Sequence, residues 1–258
     1  MDCMMTGSLA PVAFVDNQPI NIASMPDLLR RLVDLAKVGA GFTLFTLNLD
    51  HLVKRRRDPR FKAAYDRATL VSADGWPVAA IARRQGARVE RVTGADVVEP
   101  LCKAAAEEAI PIFLFGSSPE SLDGAARTLR RRYPDLIIAG MQAPPMGFDP
   151  TSEEAVAMAQ RIADSGARLC FVALGAPKQE LFADAMAQRF PNLGFLCIGA
   201  ALDFLSGKQK RAPKLVQKLN IEWLWRMSSD PRRLVVRYGS CALVLGDVLM
   251  KLSAGRAA

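Results

Sequence analysis

The chain has 258 residues, room for one large α/β domain and a smaller appendage, and half of them are apolar with charges interspersed, which excludes a disordered chain. Its five cysteines (Cys3, Cys102, Cys170, Cys197 and Cys241) are odd in number and form no CxxC pair. Neither a disulfide framework nor a metal cluster is expected of them, and a reducing compartment fits best. The formal charge of +8 sits at one end: from Lys208 onward eleven Lys and Arg face three acids, and the preceding residues are balanced. Such a basic terminal segment attracts phosphates or an anionic membrane surface.

In chain order, no basic n-region leads into an apolar run, so no secretory signal is expected. The stretch VAFVDNQPIN places strand-type residues on both sides of Asp16-Asn17, the chemistry of a small β-hairpin. Six short apolar runs follow: FTLFTLN from Phe42, TLVSADG from Thr69, PIFLFG from Pro111, LIIAG from Leu136, RLCFVALG from Arg168 and GFLCIGA from Gly194. Helical patterns lie between them near 54–66, 76–85, 95–108, 119–132, 152–165 and 178–189. Continuous apolar strands alternating with helices predict an α/β, Rossmann-like, mostly parallel sheet with helices on both faces. APPMGFDP at 143–150 reads as a loop.

After Asp203 the pattern changes, and the chain divides into a catalytic domain over 1–207 and a basic helical appendage over 208–258. Ser229 or Asp230 can cap a helix that has Pro231 at its first position. Cys241, Leu245, Val248 and Leu252 then form an apolar stripe. From Tyr238 to Met250 only Asp247 is charged, but this stretch reaches about 20 Å against a bilayer core of about 30 Å. The segment is expected to lie on a membrane surface rather than to cross it.

Ligands of open parallel sheets bind outside the carboxyl ends of the strands. Thr46 and Asn48 end the first main-sheet run and Asp74-Gly75 the second. Gly116-Ser117-Ser118 ends the third, Gly175 to Glu180 the fifth, and Gly199 with Asp203 the sixth. Caps and turns account for many such residues, and Asp74 in particular can serve as the N-cap of a helix opening at Trp76-Pro77. They account less well for Lys178, Gln179 and Glu180 standing together at a helix start. FGSSPES resembles a glycine turn opening a helix whose free N–H groups can hold a phosphate. It is neither the GxGxxG fingerprint nor a GxxxxGK[ST] loop. No Asp-x-Asp pair occurs, so a leaving diphosphate would need arginines and helix N-termini in place of a carboxylate-held cation. Arg91, Arg211, Arg226, Arg232, Arg233 and Arg237 are the candidates. His51, the only histidine, is expected at the pocket rim.

TLNLDH (46–51), ADGWPV (73–78), ERVTGAD (90–96), LFGSSPE (114–120), YPDL (133–136) and ALGAPKQE (173–180) form an ordered set. It continues with GALDFLSG (200–207), KRAP (210–213), IEWLWRM (221–227) and DPRRLVVRY (230–238). In this set the chain resembles the WecG/TagA/CpsF bacterial glycosyltransferases (glycosyltransferase family 26) over nearly its whole length. The resemblance implies a Rossmann-like domain with a C-terminal appendage. It implies inverting transfer from a UDP-sugar to an undecaprenyl-diphosphate-linked acceptor in surface or exopolysaccharide biosynthesis, with no cofactor and no obligatory metal. The family's proposed base aligns with Asp74, its pocket residues with Thr46, Asn48 and Gln179, and its appendage arginines with Arg226, Arg232 and Arg237. Arg91, Gly116, Gly175, Pro177, Lys178, Glu180, Asp203 and Arg211 are the further candidates for holding substrate. The expected partners are the sugar donor, the lipid-linked acceptor and the anionic inner face of the cytoplasmic membrane. No nucleic acid is expected, and self-association is compatible with this reading. Two functions compete: a nucleotide-dependent oxidoreductase needs a glycine fingerprint and an acidic ribose ligand that are unmatched here, and a non-enzymatic membrane-surface adaptor leaves GAPKQE and Asp74 without a purpose.

Overall fold

The computed structural model describes residues 9–209 and 231–255. Strands β1 (Ala13–Val15) and β2 (Gln18–Ile20) pair antiparallel around Asp16 and Asn17. Both turn residues have positive φ, 51° and 60°, as the two-residue turn of a twisted hairpin requires. Helix α1 (Met25–Lys37) follows, an element absent from the sequence expectation although its start is well marked. Ser24 accepts a hydrogen bond from the Asp27 N–H, and Leu28, Leu32 and Ala36 line one buried face.

All six apolar runs form strands of one sheet: β3 (Phe42–Leu47), β4 (Leu70–Ala73), β5 (Ile112–Gly116), β6 (Ile138–Gln142), β7 (Leu169–Ala173) and β8 (Gly194–Cys197). Their order is β4-β3-β8-β7-β5-β6, and every pairing is parallel. The inner strands β3 and β7 are buried throughout and the edge strand β6 is largely half-exposed, whereas the other edge strand, β4, is fully buried.

The single helix expected over 54–66 is two, α2 (Leu49–Arg57) and α3 (Pro59–Asp66). Pro59 has no N–H to continue α2, and Asp58 restarts the helix by accepting from the N–H groups of Arg60 and Phe61. The remaining helices among the described residues are α4 (Trp76–Arg84), α5 (Gly94–Glu107), α6 (Pro119–Arg132), α7 (Glu153–Asp164), α8 (Lys178–Ala187), the short α9 (Ala201–Ser206) and α10 (Pro231–Ser253).

Two apolar clusters cover the sheet. One receives α2, α3, α4, α7, α8 and α10, and the other receives α1, α5, α6 and α9. The chain therefore leaves β3 and β7 toward one face and β5 and β8 toward the opposite face. Neighbouring strand ends part between β3 and β8, between β8 and β7, and between β7 and β5, the arrangement that opens a ligand crevice at the carboxyl edge.

Helix α10 shows where its apolar stripe goes. Cys241, Val244 and Val248 are buried in the same cluster as α2, with Leu245, Leu249 and Leu252 packed beside them. The stripe expected to meet a membrane thus meets the protein's own core. Periodicity reports that a helix face is apolar, not what covers it. Arg56 of α2 donates to both carboxylate oxygens of Asp16 and to Asp247 of α10, which ties the hairpin turn and the last helix to one guanidinium. Leu243 and Met250 stay exposed on α10. No helix among the described residues is long and apolar enough to cross a membrane. The helix cap expected at Ser229 or Asp230 lies outside the described residues.

Phe182 of α8 is fully buried, stacked on Phe115 at 4.6 Å and edge-on to Phe195 at 5.9 Å. Truncating it to alanine is expected to lower the unfolding free energy by about 3–5 kcal/mol in equilibrium denaturation, since the closely packed sheet face cannot collapse into the space.

Candidate active site

Strand β4 places Asp74. In the β3/β4 register Thr46 faces Ser72 and Leu47 faces Ala73, and the Asp74 N–H continues the ladder to the Leu47 carbonyl at 2.7 Å. One carboxylate oxygen, Oδ2, then accepts from Thr46 Oγ1 and from Asn48 Nδ2, both at 3.4 Å. Asn48 is held in place because its own Oδ1 caps α2 by accepting from the His51 N–H at 3.0 Å. The three residues singled out at the first two strand ends therefore form one group. Asp74 is not the helix cap: the N-cap of α4 is Gly75, at φ +87°, with no side-chain cap bond. A half-exposed Trp76 follows directly.

Arg91 reaches the same end of the sheet through the segment leading into α5. The Val92 N–H bonds the Ala73 carbonyl at 2.8 Å, and Ser72 Oγ donates to the Val92 carbonyl at 3.0 Å. The Arg91 guanidinium lies 3.6 Å from Asp96.

The second group stands at β7 and β8. Gly175 (φ +72°) and Pro177 turn the chain into α8. Lys178 is exposed and donates to the Phe148 carbonyl at 2.8 Å, which anchors the proline-rich loop. Gln179 is buried. Its Oε1 accepts from the Gly199 N–H at 3.0 Å and its Nε2 donates to Glu180 at 2.7 Å. Glu180 has no exposed surface at all.

The third group joins β5 to α9. Gly116 has φ +106°, and a Cβ there would sit 2.5 Å from the Ala173 carbonyl oxygen, so only glycine allows β5 and β7 to approach at this point. Ser117 Oγ donates to Asp203 at 2.5 Å, Gln209 holds the other carboxylate oxygen at 3.0 Å, and Lys208 donates to Ser118 at 2.9 Å. A hollow of about 550 Å³ adjoins this group, lined by Glu120, Ser121, Gly124, Arg127 and the chain from Ser206 to Lys208. Another, of about 390 Å³, lies at the opposite edge of the sheet beside Arg168 and Arg189, away from all the predicted site residues. Strands are spaced about 4.8 Å apart, so the three groups form a row about 20 Å long from β4 to β5. Arg211 and Arg226 lie outside the described residues, as do the side chains of Arg232, Arg233 and Arg237.

Behind this row is a buried polar layer the sequence does not announce. His51 is turned inward rather than to the rim. Its Nδ1 is 2.7 Å from the Tyr65 hydroxyl, and its ring stands edge-on to Phe61. Burial pushes the Tyr65 hydroxyl well above its ordinary range, and negative charge on Glu180 adds to this. Burial likewise raises Glu180 to about 7, opposed by the bond from Gln179. No local pattern marks Tyr65, because α3 carries it to His51 across the break after α2.

An open parallel sheet with a carboxylate, amides and hydroxyls along its carboxyl edge is suited to holding a polar ligand. Residues 14–257 match the Glycosyl transferase WecG/TagA/CpsF family, and the chain belongs to it. It is therefore a glycosyltransferase of cell-surface polysaccharide synthesis, binding a sugar donor and an acceptor. The oxidoreductase and adaptor readings fall away.

Glu180 gives the fold a pH dependence. Its native value of about 7 lies above the 4.5 of the unfolded chain, so the native state binds the proton more tightly. The corresponding stability is full below pH 4.5 and is lost as pH rises through 7. Glu180→Gln is expected to remove this loss, a gain of order 3 kcal/mol at pH 8 relative to wild type and little change at pH 4, read by urea denaturation at both pH values.

Proposed function

We propose that the protein is an inverting glycosyltransferase that moves a sugar from a UDP-sugar to an undecaprenyl-diphosphate-linked acceptor at the inner face of the cytoplasmic membrane, with no obligatory metal. The observation that carries this reading is the Asp74 carboxylate, set at the carboxyl end of β4 between Thr46 and Asn48 and not used as a helix cap. In a single displacement the acceptor hydroxyl oxygen attacks the anomeric carbon from the face opposite UDP. As that bond forms, Asp74 takes the hydroxyl proton and the bond to the diphosphate oxygen breaks, its electron pair leaving with UDP. Thr46 and Asn48 orient the carboxylate, while Gln179 positions a reactant further along the row. With no Asp-x-Asp pair in the chain, Arg226, Arg232 and Arg237 offset the charge on the departing diphosphate, and Arg91 and Arg211 assist in holding donor or acceptor. The Gly116–Ser118 turn, Gly175 and Pro177 shape the donor side, with Lys178 and Asp203 beside them. The basic tail and the exposed Leu243 and Met250 on α10 suit contact with an anionic surface.

Asp74→Asn is expected to cut turnover by about 10²–10⁴-fold while leaving the Kd for UDP, measured by calorimetry, within a few-fold of wild type. A variant with the wild-type rate would remove Asp74 from the base role. The rate is read as UDP release, using the best donor from a screen of UDP-N-acetylmannosamine, its uronic acid and UDP-glucose with a short-chain polyprenyl-diphosphate-sugar acceptor. For the tail, single substitutions test the reading better than deletion, because removing α10 would bare the apolar face it covers. Arg226→Ala and Arg237→Ala are each expected to slow UDP release by tenfold or more, on the order of one lost charge-assisted contact. Wild-type rates in both would remove them from the site.

A further inference from the structure

Glu180 is the only buried carboxylate among the described residues, and it forms no ion pair with any of them. Its Oε1 accepts from Gln179, and its Oε2 has no hydrogen-bond partner. A carboxylate placed this way costs stability, so packing does not account for its presence.

Its effect on Gln179 does. The carboxamide of Gln179 is held at both ends: its oxygen faces the Gly199 N–H at 3.0 Å, and its nitrogen faces Glu180 Oε1 at 2.7 Å. Turned over, it would set N–H against N–H at Gly199 and oxygen against oxygen at Glu180. An ionised carboxylate only accepts, so it enforces one sense, whereas a neutral amide at the same place can present either a donor or an acceptor. Held in this sense, Gln179 has one N–H and one lone pair left with which to meet a ligand. Gly199 follows β8 and Gln179 follows β7, the strand ends in the middle of the row.

We propose that Glu180 is a positioning residue for sugar transfer, fixing the Gln179 carboxamide from beneath the site so that its free N–H and lone pair meet the reactant in one orientation. This deepens the reading given under Proposed function, in which Gln179 lies in the pocket, and it rests on that reading. Glu180 takes no part in bond making. It trades stability for a defined donor and acceptor arrangement on its neighbour.

The test is a double-substitution cycle with Gln179→Ala, Glu180→Gln and the pair, using the UDP-release assay and denaturation at pH 8. Glu180→Gln is nearly isosteric and is expected to be at least as stable as wild type, yet to lose about tenfold in kcat with donor KM little changed. In the Gln179→Ala background the same change is expected to have no further effect. Wild-type kcat in Glu180→Gln, or an undiminished loss on top of Gln179→Ala, overturns the positioning role alone. Full activity in Gln179→Ala instead overturns the place of Gln179 in the pocket, and the proposal with it.

Discussion

The Asp74 N–H reaches the Leu47 carbonyl at 2.7 Å, one rung past the last paired residues of β3 and β4, and much of the site follows from that rung. It sets the carboxylate beside the β3 end, where Thr46 points from the strand and Asn48 opens α2. A one-residue slip in a parallel pair would turn the side chain to the other face of the sheet. Register here is held from outside the sheet as well, since Ser72 and Ala73 bond the Val92 backbone and Val71 bonds Asn21. The carboxylate is thus placed by strand register, which backbone bonds and the Ser72 and Asn21 side chains hold together.

The layer behind the row works differently. His51, Tyr65, Gln179 and Glu180 are all buried, and the low dielectric around them strengthens each bond they make while penalising any they fail to make. A fully buried Glu180 with an unpartnered Oε2 is therefore a local conflict between stability and something else. Such conflicts gather where orientation matters more than folding free energy.

On α10 the apolar and the charged side chains face different partners. The apolar stripe of α10 packs on α2, fastened at its border by the pair between Arg56 and Asp247, an acid that Lys251 of the same helix also contacts. These pairs are partly exposed and contribute little free energy of their own. The Arg56–Asp247 pair ties α10 to α2, and the hairpin turn is brought into the same arrangement through Asp16. What remains for solvent or a surface is the opposite side of α10, with Leu243 and Met250.

All six strands of the main sheet, the hairpin turn and the polar residues gathered at the strand ends were legible in the residues themselves. Apolar runs, an Asp-Asn turn and glycine-rich exits are local properties of a chain, and the ordered motifs from TLNLDH to DPRRLVVRY carried the family with them. The break at Asp58-Pro59 is equally local, as is the Ser24 cap that opens α1. Only tertiary structure decided that β3 and β8 are neighbours, and so that the Asp74 and Gln179 groups stand at adjoining strand ends. It alone turned His51 inward to Tyr65, withdrew Glu180 from solvent and laid α10 on α2. Each of these depends on contacts between residues far apart in the chain, and a periodic pattern encodes which face is apolar or polar without encoding its partner.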